Sequence, residues 1–451
     1  MSRHDCFLDP DTSLRLRRLP YPRRSASLQP CLCNPHHQHH SCPSFNISSS
    51  ATTNLPRTTL QIQFLSIMST DAPEQTIGTA GTASPGLSGL EAENFELEPI
   101  VHLGTRRSAL ARVQTDIVEA ALTQAWPGQR CEVHAMATMG DKNQTTALHE
   151  MGAKSLWTHE LEALLATGDL DMIVHSLKDM PTTLPPKLSI GAIFPREDPR
   201  DAFVLKASLH DASNTPQYPT LASLPPNSII GTSSVRRAAQ LKRRYPHLRF
   251  ADVRGNLGTR LAKLDGTWTP EDPATVVPEY SALILAAAGL KRLDLGHRIT
   301  ALLSARDGGM LHAVGQGALG IEVRAGDARA QKLLSRVGCE RSARACLAER
   351  ALMRALEGGC SVPIGVETEW VDAATGQAIP PQGESGSVPV EGEELVLRAV
   401  VVSLDGGKAA EVETRRKVAS REEAEALGRD VADMLVSRGA GEILEEINKT
   451  R

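Results

Sequence analysis

The chain has 451 residues, of which 41% are hydrophobic and 23% charged, with a formal net charge of −4, enough for two or three domains that each bury a core. No run of about 18 apolar residues occurs, so no membrane-spanning helix is expected. Aromatic residues at 3% are too sparse for the stacking platforms of a single-strand nucleic-acid binder.

Residues 1–96 read as a disordered extension, rich in Ser, Pro, Arg and His and without hydrophobic periodicity. Within residues 1–67, seven arginines against three aspartates give +4, which leaves −8 for the remainder. Arginine and serine suit a transit peptide, whereas Asp5, Asp9 and Asp11 do not. Met68 opens "MSTDAPEQ", a usable second start, so residues 1–67 are expected to be dispensable. Four of the eight cysteines (Cys6, Cys31, Cys33, Cys42) lie in this extension. Cys31-x-Cys33 followed by "NPHHQHH" does not have zinc-finger spacing, so no metal is expected. Cys131, Cys339, Cys346 and Cys360 show no regular spacing and imply no disulfide framework.

From Ile100 the pattern alternates. "IVHLGTRRSALARVQTDIVEAALTQAW" predicts a short strand, a turn at Gly104, and a helix capped by Ser108 with Leu110, Val113, Ile117 and Leu122 on one face. "RCEVHAMAT" predicts a strand, "SLWTHELEALLAT" a helix ending at Gly168, and "LDMIVHSLKD" a buried strand stopped by Pro181. "SIIGTSS", "VRRAAQLKRRY", "LRFADVR" and "SALILAAAGLKRL" repeat the theme, implying a second α/β domain with a largely parallel sheet. After Gly338 a helix, the strands "ELVLRAVVVSL" and "EVETRRKVA" and a closing helix from Arg421 predict an α+β domain. Residues 373–392 read as a surface loop.

"LEGGCSVPIG" sets Cys360 beyond the helix stop at Gly358 and Gly359. A free thiol there is either a small buried hydrophobe or a reactive group. Arginines gather at strand-to-helix turns: Arg106 with Ser108, then Arg236 and Arg237 after Thr232, Ser233 and Ser234, then Arg254 and Arg260 around two glycines. Such turns line the ligand crevice of open α/β sheets, where helix N-termini and guanidinium forks grip carboxylate or phosphate. A polyanionic small molecule is therefore expected. Nucleic acid would suit "RRAAQLKRR", but the body is acidic and poor in aromatics. No GxxxxGK[ST] or GxGxxG stands at a strand–helix junction, which removes the usual nucleotide signatures. Lys178 and Asp179 fall at the carboxyl edge of a buried strand, either as a salt-bridged strand end or as a carboxylate facing the crevice.

Taken in order, "GTRRSALA", "AKSLWTHELE", "VHSLKDMP", "REDPRDAF", "GTSSVRR", "VRGNLGTRLAKLD", "AAAGLKRL", "AVGQGALGIE" and "LEGGCSVPIG" resemble the porphobilinogen deaminase (hydroxymethylbilane synthase) family of haem biosynthesis, from about Pro99 to the C-terminus. The resemblance implies a fold of two type II periplasmic-binding-protein-like α/β domains plus a C-terminal α+β domain: 97–197 with about 317–336, 198–316, and a cofactor-carrying 337–451. It implies a transferase that condenses four porphobilinogens head to tail, releasing ammonia, to give the linear tetrapyrrole hydroxymethylbilane through cationic azafulvene intermediates. A dipyrromethane cofactor would be joined by a thioether to Cys360.

By the same resemblance Asp179 is the catalytic carboxylate. Lys154, Ser176, Lys178, Thr232, Ser233, Ser234, Arg236, Arg237, Arg254 and Arg260 would contact the cofactor, and Arg106, Ser108, Arg292 and Gln316 the substrate. Each pyrrole carries an acetate and a propionate, so a growing chain of up to six rings explains the arginines. A cytoplasmic monomer without nucleic-acid or membrane partners is expected. Glu150 and His159 stand where the family often has lysine, and the segments near 266–280 and 373–392 look long for it. The rival reading is a two-domain module that clamps a polycarboxylate without chemistry and needs neither Asp179 nor Cys360.

Overall fold

The computed structural model describes residues 100–137, 158–270, 274–356, 362–380 and 387–449. The expectations for residues 1–96, Glu150, Lys154, Gly358, Gly359 and Cys360 lie outside them. The chain opens with β1 (Ile100–Arg106), α1 (Ala109–Ala125), β2 (Arg130–Met136), α2 (His159–Thr167), β3 (Met172–Ser176) and β4 (Leu188–Ile193). It crosses into β5 (Asp201–Leu205), β6 (Ile229–Gly231), α3 (Val235–Arg244), β7 (Arg249–Ala251), α4 (Leu257–Asp265), β8 (Ala282–Ala286), α5 (Ala287–Arg292) and β9 (Ala301–Leu303). It then returns as β10 (Leu319–Arg324) and α6 (Ala328–Leu334), and ends with α7 (Glu340–Ala355), β11 (Ile364–Asp372), β12 (Glu393–Val402), β13 (Ala409–Arg416), α8 (Arg421–Ser437) and α9 (Ala440–Lys449).

The strands form three sheets, ordered β2-β1-β3-β10-β4, β7-β6-β8-β5-β9 and β11-β12-β13. The first two share one plan: three parallel strands, then an antiparallel strand that arrives from or returns by a crossover, then an outer strand. This is a doubly wound arrangement of two α/β units built on the same strand order, joined to an α+β unit. The expectation of a largely parallel second sheet holds for β7, β6, β8 and β9, which run one way, while β5 runs against its neighbours β8 and β9, as β10 runs against β3 and β4 in the first sheet. A strand entering from the other sheet arrives from the opposite end.

Local chemistry sets the helix starts. Ser108 Oγ accepts from Ala111 N (3.4 Å) and Asn256 Oδ1 from Thr259 N (2.8 Å), each filling an otherwise unpaired N-terminal donor. Gly168 closes α2 with φ of 91°, in the left-handed region that suits glycine. Gly104 lies inside β1 rather than at a turn, because a Cβ there would come 2.5 Å from Leu170 Cδ1. On α1 the buried face is Gln114, Thr115, Val118 and Leu122, while Ile117 is 42% exposed, so the apolar stripe is rotated from the expected one. The closing helix is two helices, broken at Gly439.

The first sheet buries Val101, Leu103, Met172 and Ile321 against Val118, Leu122 and Leu333. Two clusters line the faces of the second, and the largest packs α7 and α8 on β11–β13.

Candidate active site

The site forms where strand ends of the first two sheets meet. β1 delivers Arg106, and Ser108 caps α1 just beyond it. β3 ends at Ser176, so Lys178 and Asp179 sit on a 3-10 turn (Leu177–Asp179) rather than on the strand itself. Leu177 anchors that turn: its side chain is fully buried, and its N–H donates to Ala318 O (3.0 Å). Asp179, the last residue of the turn, is exposed. Arg106, Ser108, Ser176 and Asp179 line one cleft with Gln114 and His175. Ser176 Oγ and the Gln114 amide exchange hydrogen bonds of 2.9 and 3.0 Å, which ties α1 to the end of β3.

From the second sheet come Thr232, Ser233 and Ser234 at the start of α3. Ser234 N donates to Thr232 Oγ1 (3.2 Å), and Ser233 Oγ donates to Val253 O (2.8 Å), joining this turn to the one after β7. Arg236 and Arg237 follow, and both bind Asp201, a 1% exposed carboxylate that opens β5. Arg237 Nη2 and Nε reach Asp201 Oδ1 at 2.6 and 3.0 Å, and its Nη1 donates to Ile284 O at 2.8 Å. Arg236 Nη2 lies 2.8 Å from Asp201 Oδ2. Gln316 Nε2 also donates to Asp201 Oδ1 (2.9 Å) and to Pro199 O (2.7 Å). Burial alone would raise the Asp201 pKa, but the two guanidiniums override it and hold the carboxyl well below the usual range.

Lys178 is half-buried, and the loss of hydration lowers its pKa; Asp179 and Asp201 oppose this, while Arg237 and Arg236 add to it. Burial, together with Arg237 and Arg254, pulls Arg260 down to about 10, against the pull of Asp179. Lys178, Arg236, Arg237, Arg254 and Arg260 thus form one crowded cationic group across both sheets. Asp179 faces it. Arg260 spends its Nε on Gly255 O (2.8 Å).

Arg292 stands at the crossover, donating from Nη2 to Gly317 O (2.7 Å). A Cβ at Gly317, whose φ is 88°, would lie 2.2 Å from Glu197 O, so the close approach of the two crossover segments at this point requires glycine.

Several residues that organise the site were not singled out from the sequence. Asp201 lay in the quoted "REDPRDAF", but the partner that gives it meaning is 36 positions away. Arg196 makes a two-pronged pair with the buried Glu349 of α7 (2.7 and 3.0 Å), and Gly315 N donates to the same carboxylate (2.8 Å). Arg350, the next residue on α7, reaches the carbonyls of Met180 and Pro181 immediately after Asp179. Adjacent charges among small residues inside a helix pattern were the only local signal. Among the described cysteines, burial pushes the thiols of Cys131 and Cys346 up to about 11 and 12, and the buried Cys339 caps α7.

The arrangement suits a ligand that brings several carboxylates and develops positive charge near one exposed carboxylate. Residues 101–332 match the family profile "Porphobilinogen deaminase, dipyromethane cofactor binding domain" and residues 343–437 "Porphobilinogen deaminase, C-terminal domain". The chain is similar to porphobilinogen deaminase of Neurospora crassa, at 48% identity over 358 residues, covering 79% of this chain and 96% of the relative. It is also similar to that of Yarrowia lipolytica, at 49% over 355 residues (78% and 94%), and to that of a Synechococcus strain, at 46% over 347 residues (77% and 96%). With both profiles matched in order and nearly the whole length of these relatives spanned, the chain belongs to the porphobilinogen deaminase family.

Proposed function

We propose that Asp179 is the catalytic carboxylate of the reaction this family performs, and that the cationic group facing it holds the carboxylates of the growing tetrapyrrole. The reaction follows from family membership: four porphobilinogens are condensed head to tail with release of ammonia, giving hydroxymethylbilane in haem and tetrapyrrole biosynthesis. The observation that carries the residue roles is the convergence of Lys178, Arg236, Arg237, Arg254 and Arg260 around exposed Asp179.

As ammonia leaves porphobilinogen, positive charge develops on the pyrrole and its methylene. The Asp179 carboxylate accepts a hydrogen bond from the pyrrole N–H and lies where that charge forms, at the end of a turn already fixed by Leu177. Arg236 and Arg237 are committed to Asp201, so they contribute mainly field and rigidity. The two Nη groups of Arg260, with Arg254 and Lys178, are the groups offered to acetate and propionate. Ser108, Ser233 and Ser234 sit at helix starts, where N–H donors favour anions. Arg106, Ser108, Arg292 and Gln316 are assigned to the incoming substrate, and Lys154 and Ser176 to the cofactor.

The family's dipyrromethane suits this donor set, since two pyrrole rings carry four carboxylates. When bound, it supplies the primer on which the chain is extended. Cys360 is assigned as its thioether attachment, a choice supported by the elevated pKa of the Cys131 and Cys346 thiols. The division into domains 97–197 with about 317–336, 198–316 and 337–451 is supported by the membership of the three sheets. The same reading makes the enzyme a cytoplasmic monomer without nucleic-acid or membrane partners. No helix among the described residues is long and apolar enough to cross a membrane.

The test is to purify the protein, record its intact mass, and incubate it with porphobilinogen. A mass increased by two deaminated porphobilinogens, with ammonia and hydroxymethylbilane formed in a 4:1 ratio, is expected. Binding of porphobilinogen without ammonia release would favour the polycarboxylate clamp.

A further inference from the structure

Away from the cleft, His102, Glu132 and His134 meet on one face of the first sheet. β1 and β2 are parallel neighbours in which His102 pairs with Glu132 and Gly104 with His134. Paired residues project to the same side, and Gly104 has no side chain to crowd the His134 ring. His102 Nδ1 and His134 Nε2 are 2.9 Å apart, and His134 Nε2 is 3.7 Å from Glu132 Oε1. One ligand atom from each residue falls within 4.8 Å of the other two. β2 is an edge strand, and the His134 and Glu132 side chains are 36% and 55% exposed, so the cluster opens to solvent.

The backbone beneath is fixed. His102 N donates to Asp171 Oδ2 and Asp171 N donates to His102 O, both at 2.9 Å. Asp171 is in turn paired with Arg324 and Arg329 at 3.4 and 3.6 Å.

We propose that these three side chains bind one divalent ion of borderline softness, with Zn2+ the preferred occupant. Two imidazoles and a carboxylate are the donor set of an open zinc site, with water completing the tetrahedron. Hard ions such as Ca2+ and Mg2+ favour all-oxygen shells and are excluded by the same set. Without metal, one ring N–H bridges the 2.9 Å gap by donating to the other ring. The ion takes that proton's place, and the donor ring moves its proton to its other nitrogen by exchange with water, so both rings stay neutral. Zn–N bonds of about 2.0–2.1 Å require the nitrogens to part to about 3.3 Å, a few tenths of an ångström. The bound ion joins edge strand β2 to β1. The expectation of no metal rests on the spacing of the N-terminal Cys and His residues; His102 and His134 are 32 positions apart, and no local spacing announces them.

The site lies about 13 Å along β1 from Arg106, so it can be altered without touching the cleft. Full-length protein, stripped with a chelator, is titrated with Zn2+ by equilibrium dialysis, and melting curves are recorded with Zn2+, Ca2+ or Mg2+. The wild type is expected to bind one more Zn2+ per chain than the double variant His102→Gln/His134→Gln, whatever the N-terminal Cys and His residues bind in both. Its melting temperature is expected to rise with Zn2+ alone. The double variant should lose this rise and keep wild-type ammonia release. Equal stoichiometry and affinity in the two proteins, or equal stabilisation by Ca2+, overturns the proposal. Should the double variant misfold, Glu132→Gln on the exposed edge decides: weakened Zn2+ affinity supports the site, and unchanged affinity overturns it.

Discussion

Arg350 on α7 donates from Nη1 to the carbonyl of Met180 (3.2 Å), the residue that follows Asp179, and from Nη2 to that of Pro181. It is only 2% exposed, and burial holds its pKa at about 10. α7 is also the helix that leads toward Cys360, so a single side chain links the segment assigned to the cofactor with the turn that carries the carboxylate. Arg350→Met should leave two carbonyls without donors, at about 1–3 kcal/mol each. A lower melting temperature is expected, together with a fall in kcat per cofactor-loaded molecule that exceeds any change in KM. Arg350→Lys should recover part of both. A variant with a lowered melting temperature and unchanged kcat would make the clamp purely structural.

Asp201 holds two guanidiniums in a nearly dry setting. Removing one member of such a group leaves uncompensated charge, which costs about 3–5 kcal/mol. Asp201→Asn should therefore lower urea-unfolding stability by that order. Asp201→Asn combined with Arg237→Gln should be less damaging than the sum of the single changes, because it removes one of the stranded cations. Additive losses would show that the pair does not act as a unit.

How much of this was readable in advance depended on distance along the chain. The Ser108 cap and the Gly168 stop were legible because a cap and its partner lie within one turn. The run ending in Lys178 and Asp179 was located correctly but assigned to a strand, since a 3-10 turn of three residues leaves no periodic trace. Strand direction was not legible: β5 and β10 have ordinary apolar patterns, and only the crossovers between sheets reverse them. The role of Asp201 depends on partners 36 and 115 positions away. Local pattern carries no signal of such pairs. The family resemblance supplied candidate residues but not this division of labour, in which Arg237 is spent on Asp201.

Cys360→Ser should yield a folded protein without the added cofactor mass and without ammonia release. Cys131→Ser, Cys339→Ser and Cys346→Ser should each retain both, because those thiols pack or cap rather than react. Intact mass spectrometry of the four variants reads this directly. Retention of the added mass in Cys360→Ser would move the attachment elsewhere.

His312 gives the fold an acid-sensitive point. Burial pulls its imidazole down to about 4 from an ordinary 6.5; Arg196 adds to this, while Glu349 and the Ala313 carbonyl oppose it. The unfolded chain therefore binds the extra proton first, and stability declines as pH falls through 6.5, with the loss complete near 4. Between pH 7.5 and 5 this single group accounts for about 2 kcal/mol. Urea unfolding at the two pH values should show a smaller decline for His312→Asn, which can still donate to Ala313 O but does not titrate. An equal decline in both proteins would place the acid sensitivity in other groups.

The enzyme reading depends most on Asp179. Its exposed carboxylate ends a turn held by Leu177 on one side and by Arg350 on the other, so substitution there should disturb charge more than fold. Asp179→Asn keeps the size but removes the charge that offsets the developing cation. Losses of preorganised electrostatic groups run to about 10²–10³ in rate, or roughly 3–4 kcal/mol of barrier, and a full cation should make the cost at least that large. Asp179→Glu keeps the charge but displaces it by one methylene, so it should retain more activity than Asn. If Asp179 only balanced the charge of Lys178 and Arg260, the Asn variant would show altered stability with turnover per folded molecule nearly intact. Ammonia release per cofactor-loaded molecule, measured beside the melting temperature for both variants, separates the outcomes. Near-normal turnover in Asp179→Asn would remove the carboxylate from the chemistry and leave the cationic group as a binding device alone.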